Sequence, residues 1–422
     1  MGAAGQNPLE KWIFTKTGGK DIKSYQLEKL RETLRYAAGK SKFYKEVYHC
    51  HDIAVKDFKA FEKLPFVTAD DLIRRGPEML CVPQNEIGRI VTLNTSGTTQ
   101  EPKRVYFTDA DQELTIDFFH NGMQCLINAN DNCMILLPYK TPGSVGDLLS
   151  KGLTRTGCGV YPYGLINDFR SAGEFMAEHK ITSLVGSAVQ VLKLAELTKA
   201  CGFDIRMNSV LLSTDYVPDA ITARISALWG CKVFEHYGMT EMCFGGGVYC
   251  EYLKGYHLRE ADLYFEIISE SGETLPQGEY GEVVFTTLTR TGMPLIRYRT
   301  GDHGRFSKDR CGCSGRLMLM EKIRRRTDGG ITGSDGRVFY ISDFDELIFS
   351  LDSVTDYSLD IRGGKARIRI LTASGNFEKL RMAARELVFE KTGLDSQITV
   401  ERETGAPQEK LIKRQIISNC GG

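Results

Sequence analysis

The sequence predicts an α/β protein of two domains, a large one with a mostly parallel sheet and a small α+β one. Three observations lead to this prediction. The chain has 422 residues, more than a single hydrophobic core usually supports. Between about residues 86 and 300, short β-branched and apolar runs alternate with helical patterns, a rhythm typical of βαβ units. After a glycine-rich stretch near residue 328, a shorter α+β pattern continues to about residue 414.

We therefore place the domain boundary near residue 328, with a large domain over residues 1–327 and a small one over 328–422. Residues 1–85 are charged and amphipathic, and Leu27, Leu30 and Leu34 are close to helical spacing, so we predict a helical entry region there. The strands that the apolar runs predict cover residues 89–93, 133–137, 183–185, 209–212, 232–234 and 282–288.

The charges of the chain are balanced, with 54 Lys and Arg residues against 54 Asp and Glu residues. This balance gives no electrostatic basis for binding nucleic acid or an anionic membrane surface, so we expect a small-molecule partner. The apolar runs are too short to cross a bilayer, and the start of the chain lacks a signal-peptide layout. We expect a cytoplasmic protein whose twelve cysteines are thiols or metal ligands.

A loop rich in hydroxyl groups follows the first predicted strand. Hydroxyls and closely approaching backbone N–H groups can hold phosphate oxygens, a glycine permits a tight path, and a lysine supplies charge. The Walker spacing is absent, which argues against a P-loop kinase or GTPase. A solvated turn is the alternative interpretation. The candidate phosphate-binding residues are Thr95, Ser96, Gly97, Thr98, Thr99 and Lys103.

Two later segments carry further polar groups at predicted strand ends, where α/β sheets bind ligands. In the segment 235–241, Tyr237 can stack on a purine, and Thr240 can hydrogen-bond a phosphate. Glu241 can hold the Mg²⁺ that accompanies nucleotide phosphates. In the segment 295–302, an apolar strand delivers Asp302 into a glycine turn, where its carboxylate can accept both hydroxyls of a ribose. Structural turns are the alternative for both segments.

The order of these segments resembles the adenylate-forming superfamily of acyl-CoA synthetases, luciferases and adenylation domains. The loop 95–103 resembles the family's T-S-G-T-T-G-x-P-K, with Gln100 in place of the third glycine. Residues 237–241 and 298–302 resemble its Y-G-x-T-E and Y-x-T-G-D, and residues 325–328 resemble its G-R-x-D hinge, with Arg325 in place of glycine. The resemblance covers about residues 60–414. Phenylacetate-CoA ligases look most similar, because of the run 283–289 that precedes residues 296–299.

The resemblance implies a large AMP-binding and acyl-substrate domain with a small mobile lid, and a two-step reaction with ATP, Mg²⁺ and CoA. A carboxylate attacks the α-phosphate of ATP to give an acyl-adenylate, and the CoA thiol then displaces AMP. Lys410 corresponds to the adenylation lysine, although Gln408-Glu409 replaces the usual Ser/Thr-Gly pair and Lys413 is an alternative. The resemblance makes Asp328 the hinge and Lys410, Thr240 and Glu241 the catalytic residues. It also implies nucleotide contacts from the loop residues above and from Ser213, Thr214, Asp215, Tyr237, Gly238, Asp302 and Arg326.

The acyl pocket is less well defined by the sequence. Its candidates by position are Tyr139, Val145, Gly186, Ser187 and Ala188. They match the phenylacetate subgroup poorly, and residues 213–215 depart from the family's glycine-acidic pair beside the adenine. We therefore expect an aryl or small acyl carboxylate without naming it.

Four possible metal ligands form a separate signal. Cys250, His257, Cys311 and Cys313 make a Cys₃His set, which suits tetrahedral Zn²⁺. The spacing is not that of a standard zinc finger, and buried free cysteines are the alternative. Some relatives in the phenylacetate-CoA ligase subgroup carry a similar arrangement, which favours a structural zinc. With four protein ligands, a catalytic zinc is not expected.

Other functions stay open on the sequence alone. An enzyme of this type can pass the acyl group to a carrier-protein thiol instead of CoA. A catalytically decayed nucleotide-binding regulatory protein is a second alternative, kept open by Gln100, Arg325 and the pair 408–409. No nucleic-acid or membrane partner is expected, and the sequence leaves open whether the protein is a homodimer.

Overall fold

The computed structural model describes residues 7–93, 101–327, 330–332, 336–362, 365–373 and 375–403. Contacts divide the chain into two compact units. The first unit comprises residues 1–126, 141–156 and 236–323, and the second comprises residues 127–140, 157–235 and 324–422. Among the described residues, no helix is both long enough and apolar enough to span a membrane.

The first unit begins with helices and ends with antiparallel strands. Its helices are α1 (Pro8–Lys16), α2 (Ile22–Lys40), α3 (Lys42–Val47), α4 (Phe58–Phe61), α5 (Ala69–Arg75), α6 (Asp109–Met123) and α7 (Val145–Thr154). Its strands are β1 (Arg89–Leu93), β2 (Lys103–Phe107), β8 (Gly247–Val248), β9 (Tyr256–Leu258), β10 (Leu263–Ile268), β11 (Gly281–Thr287), β12 (Tyr298–Gly304) and β13 (Leu319–Met320).

The second unit contains the parallel sheet and the C-terminal α+β segment. Its helices are α8 (Phe169–Glu178), α9 (Ala188–Ala200), α10 (Asp219–Trp229), α11 (Ile341–Phe349) and α12 (Phe377–Thr392). Its strands are β3 (Asn132–Ile135), β4 (Gly159–Pro162), β5 (Ser183–Gly186), β6 (Ser209–Leu212), β14 (Arg325–Arg326), β15 (Ile331–Thr332), β16 (Val338–Phe339), β17 (Val354–Arg362), β18 (Lys365–Thr372) and β19 (Ser396–Arg402). Strand β7 (Lys232–Tyr237) runs from this unit into the first.

The predicted α/β fold class is confirmed. In the second unit the strands are ordered β4-β3-β5-β6-β7 and every neighbouring pair is parallel. Every residue of strands β5 and β6 is buried. Because both faces of these strands are covered, their residues form continuous runs in the sequence rather than an alternation of apolar and polar residues. Helices α8, α9 and α10 supply the crossover connections between these strands.

The strand predicted at residues 89–93 exists as β1, but it is not part of the parallel sheet. It pairs with β2 in an antiparallel two-stranded sheet, with Leu93 opposite Lys103. A parallel crossover needs about a dozen or more residues, and the connection from Leu93 to Lys103 is shorter. The pairing places Lys103 at the first position of β2, directly after the candidate phosphate loop.

The start of α6, which follows β2, is stabilised by side-chain hydrogen bonds. Thr108 accepts a hydrogen bond from the Asp111 backbone N–H (3.1 Å), and the Asp111 carboxylate accepts one from the Thr108 N–H (3.0 Å). This capping box begins α6 immediately after β2. The buried Asp111 carboxylate also accepts hydrogen bonds from the backbone of Thr291 and Gly292, so it ties the helix to a loop of the same unit.

A buried ion pair lies at the base of the antiparallel sheet β10-β11-β12. Arg297 Nη2 donates to Glu266 Oε1 at 2.9 Å, and Arg297 Nη1 donates to the carbonyl oxygens of Glu62 and Leu64, the latter at 2.5 Å. Both side chains are at most 2% exposed. Burial raises the pKa of Glu266, and the neighbouring Arg297 opposes that shift. The pair therefore joins β10 and the residue before β12 to the segment after α4.

We expect Glu266→Gln to lower the free energy of unfolding by about 3–5 kcal/mol, because it leaves the buried Arg297 charge without its partner. Chemical denaturation of the purified variant measures this change. The matched control is Glu321→Gln, which removes an exposed partner of Arg305 and should cost about 1 kcal/mol or less. Equal losses in the two variants would contradict the prediction.

The C-terminal segment of the second unit is built on a three-stranded sheet. Strand β17 pairs antiparallel with β18, and β18 pairs parallel with β19. Along β18, alternate residues Ala366, Ile368 and Ile370 are buried, which gives one apolar face. These residues belong to a hydrophobic core that also contains buried side chains of β5, β6 and α9. Lys193 on α9 is paired with Asp356 and Glu403, both at 3.0 Å.

Candidate active site

The loop between β1 and β2 carries most of the predicted phosphate contacts. Residues Thr95, Ser96, Gly97, Thr98 and Thr99 lie outside the described residues, so their role stays a prediction. Lys103, the last residue of the motif, is described, and its side chain is 16% exposed.

Glu241 follows β7, in a tight turn that leaves no room for a side chain at Gly238. A Cβ on Gly238 would lie 2.3 Å from the carbonyl oxygen of Phe244, so a side chain there would force the backbone apart. The turn continues as a single 3₁₀ turn over Thr240–Met242, and Glu241 is buried. Arg290 stabilises this turn. Its guanidinium donates to the Glu241 carbonyl oxygen (2.9 Å) and to the Tyr106 carbonyl oxygen (2.6 Å).

Lys103, Glu241 and Tyr298 meet within the first unit. Lys103 Nζ donates to Glu241 Oε1 and also lies 3.3 Å from the Tyr298 hydroxyl oxygen. The Tyr298 hydroxyl lies 3.3 Å from the same Glu241 oxygen. A buried carboxylate and a lysine ammonium group are thus adjacent, and both residue types suit a polyphosphate with its metal ion.

Asp302 and Tyr237 are joined by a hydrogen bond of 3.1 Å from the Tyr237 hydroxyl to Asp302 Oδ2. Asp302 was expected in a turn after a strand, and this expectation is wrong. Strand β12 covers Tyr298–Gly304, so Asp302 lies inside it, although Gly301 does have a φ of +73°. The pairing with β11 is irregular here: Glu282 is opposite His303 and Val284 is opposite Arg299, so β12 carries the extra residues of a bulge around Gly301.

His236 precedes Tyr237 on β7 and packs beside two aromatic rings of α6. Its ring centroid lies 6.0 Å from that of Phe118 and 6.3 Å from that of Phe119. Burial lowers the pKa of His236 to about 4. The imidazole is therefore neutral at physiological pH.

We expect His236 to make the protein less stable as the pH falls from about 6.5 to 4. The unfolded chain binds the proton at about pH 6.5 and the folded protein only near 4, so acidification through this window favours unfolding. Thermal unfolding across the pH range measures the effect. A His236→Gln variant, which does not titrate, should lose less stability over the same range; parallel pH profiles would contradict the assignment.

Part of the predicted adenine and acyl contacts lies in the second unit. Ser213, Thr214 and Asp215 follow β6, and Thr214 has a φ of +81°, a conformation that side chains other than glycine rarely adopt. The backbone N–H of Ser213 donates to the Gly186 carbonyl oxygen at 3.0 Å, so the two predicted segments are adjacent. Gly186 ends β5 in a crowded position, where a Cβ would lie 2.9 Å from the Val191 side chain.

The other predicted pocket residues are distributed as follows. Ser187 immediately precedes α9 and Ala188 is the first residue of this helix, while Tyr139 lies after β3, against Gly164. All three are in the second unit, whereas Val145 begins α7 in the first. The structure therefore brings Tyr139, Gly186, Ser187 and Ala188 into one unit, and their role in binding stays a prediction.

Three further predicted residues concern the C-terminal part of the chain. Arg326 is an exposed residue of β14. Asp328 and Lys410, with its alternative Lys413, lie outside the described residues, and their hinge and catalytic roles stay predictions.

The predicted metal ligands are clustered in the first unit. The ligand atoms of Cys250, His257, Cys311 and Cys313 all lie within 4.8 Å of one another. The sulfur atoms of Cys250 and Cys311 are 3.4 Å apart, and Cys313 Sγ is 3.6 Å from His257 Nε2. The pairing of β9 with β13 brings His257 opposite Leu319, close to the Cys-Gly-Cys turn. Three sulfur donors and one imidazole at these separations fit a tetrahedral zinc ion.

Comparison with known proteins identifies the family. A family model described as "AMP-binding enzyme" matches residues 41–289, more than half of the chain. The chain belongs to this family. The AMP-binding enzyme is 28% identical over 328 residues to a phenylacetate-coenzyme A ligase of Thermus thermophilus, covering 73% of this chain and 71% of that protein. It is also 28% identical over 335 residues to a phenylacetate-coenzyme A ligase of Pseudomonas putida, covering 73% and 71%.

Solved structures confirm the fold. A 2-hydroxyisobutyryl-CoA ligase in a postadenylation state with R3-HIB-AMP superposes with a TM-score of 0.81 at 20% identity, covering 93% of this chain and 89% of that one. An anthranilate CoA ligase in complex with anthranoyl-AMP gives a TM-score of 0.55 at 15% identity, covering 75% and 65%. The predicted resemblance to adenylate-forming enzymes is confirmed.

Two residues that the sequence did not single out help to build the site of this AMP-binding enzyme. Tyr298 contacts both Lys103 and Glu241, and Arg290 supports the Glu241 turn. Tyr298 lies in the Y-x-T-G-D motif, so the motif itself was the available signal. Arg290 offers no comparable signal, because an arginine after a β-strand is usually a surface residue.

Proposed function

We propose that this protein is an AMP-forming CoA ligase that activates an aryl or small acyl carboxylate. The observation that carries the proposal is that the first unit contains both the contact of Lys103 with Glu241 and the hydrogen bond of Tyr237 to Asp302, residue types that suit a magnesium nucleotide. The family membership and the similarity to phenylacetate-coenzyme A ligases support it.

The reaction has two displacement steps. In the first, a carboxylate oxygen of the acid attacks the α-phosphorus of ATP, and the bond to the β-phosphate bridging oxygen breaks to release pyrophosphate. In the second, the CoA thiol loses its proton and attacks the acyl carbon, and AMP leaves with the former carboxylate oxygen. Such phosphoryl chemistry depends on positioning and charge stabilisation more than on a nucleophilic side chain.

The described residues can supply these needs. The Lys103 ammonium group offsets phosphate charge, and the Asp302 carboxylate accepts hydrogen bonds from the ribose hydroxyls. Tyr237 orients Asp302 through their hydrogen bond. A lysine and carboxylate in contact must exchange partners when the nucleotide binds, because phosphate oxygens attract the ammonium group and a cation attracts the carboxylate.

Magnesium is part of the proposal. The Glu241 carboxylate is a hard oxygen donor held in a fixed turn, and the Thr240 hydroxyl next to it suits a phosphate oxygen, so these residues fit a nucleotide-bound Mg²⁺. When bound, the ion would neutralise charge on the phosphates.

Lys410 and the lid belong to the same proposal. We assign Lys410 to the contact between the carboxylate and the α-phosphate, and Asp328 to the hinge about which residues 328–422 turn between the steps. We assign binding of the acyl group to Tyr139, Val145, Gly186, Ser187 and Ala188. Binding of the adenine base is assigned to residues 213–215, and Arg326 is assigned a position near the nucleotide. The motif matches support these assignments.

We further propose a structural zinc ion bound by Cys250, His257, Cys311 and Cys313. The support is the separation of the four ligand atoms and the burial of three of the four residues. His257 Nδ1 has no hydrogen-bond partner among the described residues, and Nε2 is the nitrogen that faces Cys313. Such a site would join the turn after β8 to the turn before β13.

A cytoplasmic location is proposed because ATP, CoA and reduced cysteine thiols occur together there. Small-molecule partners follow from the reaction.

The test is acid-dependent AMP formation from ATP and Mg²⁺ across a panel of aryl and short-chain acids, with and without CoA. We expect at least one acid to give AMP that depends on CoA, and Lys410→Ala to abolish it while Lys413→Ala remains active. Pyrophosphate exchange without CoA-dependent product would favour a carrier-protein acceptor. ATP binding without exchange for any acid would favour a decayed regulatory protein.

A further inference from the structure

The hydroxyl group of Tyr298 occupies a central position between the two charged groups of the candidate site. The residue is 1% exposed, and its hydroxyl oxygen lies 3.3 Å from both Lys103 Nζ and Glu241 Oε1. A phenol can accept one hydrogen bond and donate another at the same time. Tyr298 therefore can accept from the lysine and donate to the carboxylate.

The backbone around Tyr298 is held by the contacts of the neighbouring residues. Arg297 has a φ of +50°, unusual for a residue other than glycine, and its side chain is held by the buried pair with Glu266. The Arg297 carbonyl oxygen accepts a hydrogen bond from the Val67 N–H at 3.1 Å, and the Val67 carbonyl accepts one from the Arg299 N–H at 2.9 Å. Tyr298 lies between these two bonds, which hold its backbone in place, and its side chain is buried.

Glu241 is held at both its side chain and its backbone. Lys103 and Tyr298 both bond to the same oxygen of Glu241, and Arg290 holds the Glu241 backbone. When phosphate groups draw the ammonium group away, the phenol still donates to Oε1. The carboxylate thus keeps a hydrogen-bond donor, 3.3 Å away, during the exchange of partners.

We propose that Tyr298 is a positioning residue that orients Glu241 for the metal ion of the nucleotide. This inference deepens the proposed function and rests on its assignment of Glu241 to Mg²⁺. Partners that orient a metal-binding carboxylate typically change metal affinity or activity by about 10–100-fold when removed.

The test is Tyr298→Phe, which removes only the hydroxyl oxygen. We expect the Mg²⁺ concentration for half-maximal ATP binding to rise about tenfold or more, measured by calorimetric titration of ATP at several Mg²⁺ concentrations. The Michaelis constants for the acid and CoA should be unchanged. The matched control is Tyr25→Phe, which removes a buried hydroxyl that donates to the Ala261 carbonyl oxygen (3.2 Å), and its Mg²⁺ dependence should equal that of the wild type.

A double variant decides whether Tyr298 acts through Glu241. In the Glu241→Gln background, Tyr298→Phe should add little further effect on Mg²⁺ dependence, because the carboxylate that it orients is already absent. An unchanged Mg²⁺ requirement in Tyr298→Phe, or a loss of thermal stability with equal losses in every kinetic constant, would overturn the inference. ATP binding is measured without turnover, so the effect of Tyr298→Phe on Mg²⁺ dependence does not require catalysis. A wild-type protein that binds Mg·ATP but forms no AMP would refute the ligase proposal, and the Mg²⁺ dependence of ATP binding would still test the role of Tyr298.

Discussion

Replacing Glu241 with Gln is expected to reduce acid-dependent AMP formation by about 100-fold or more. The amide keeps the shape of the side chain, but it removes the negative charge that we assign to Mg²⁺, and electrostatic groups of this kind each contribute on the order of 10²–10³ in rate. The effect should appear in the rate at saturating ATP and acid. Steady-state AMP release with excess Mg²⁺ measures it.

Glu270→Gln is the control for this substitution, because Glu270 is an exposed carboxylate in the turn after β10. Its activity should match that of the wild type. If Glu241→Gln retains most of the activity, the assignment of Glu241 as the metal-binding carboxylate is wrong and the Lys103–Glu241 pair is only structural.

Replacing Cys311 with Ser is expected to lower both the zinc content and the stability of the protein. The substitution removes one of four ligands of the proposed zinc ion, and metal-binding free energy contributes directly to folding. We expect bound zinc to fall from about one equivalent to a small fraction, and the free energy of unfolding to fall by about 3 kcal/mol or more. Metal analysis of the purified protein and thermal unfolding measure the two changes.

Cys50→Ser is the matched control, since Cys50 is exposed and lies outside the cluster. It should retain full zinc content and stability. Wild-type protein that contains no zinc after purification and after zinc addition, and that resists chelators without loss of stability, would contradict the proposed metal site.

The elements of the parallel sheet could be predicted because burial on both faces makes them continuous in the sequence. Strand β6 coincides with the predicted residues 209–212, and β5 extends the predicted strand by one residue, Gly186. The pairing of β1 could not be predicted from its own residues, since strand propensity does not specify a partner. Only the short connection to Lys103 indicates the antiparallel arrangement.

The sequence predicted individual residues of the candidate site but not the contacts between them. Lys103 and Glu241 were each identified from local motifs, but their contact joins residues 138 positions apart in sequence. Tyr298 was passed over because the value of a hydroxyl depends on what lies within about 3 Å of it, which a linear motif does not state. The clustering of Cys250 with the Cys-Gly-Cys turn followed a sequence signal, and the pairing of β9 with β13 provides its structural reason.

The central claim is that the acid is activated as an acyl-adenylate before its transfer to CoA. Its most direct test uses an accepted acid with both carboxylate oxygens labelled with ¹⁸O, incubated with the enzyme, ATP, Mg²⁺ and CoA. We predict that mass spectrometry will find one ¹⁸O atom in the AMP and one in the acyl-CoA thioester, because the attacking oxygen remains on phosphorus. Unlabelled AMP, or ¹⁸O in inorganic phosphate with ADP as the nucleotide product, would contradict the account.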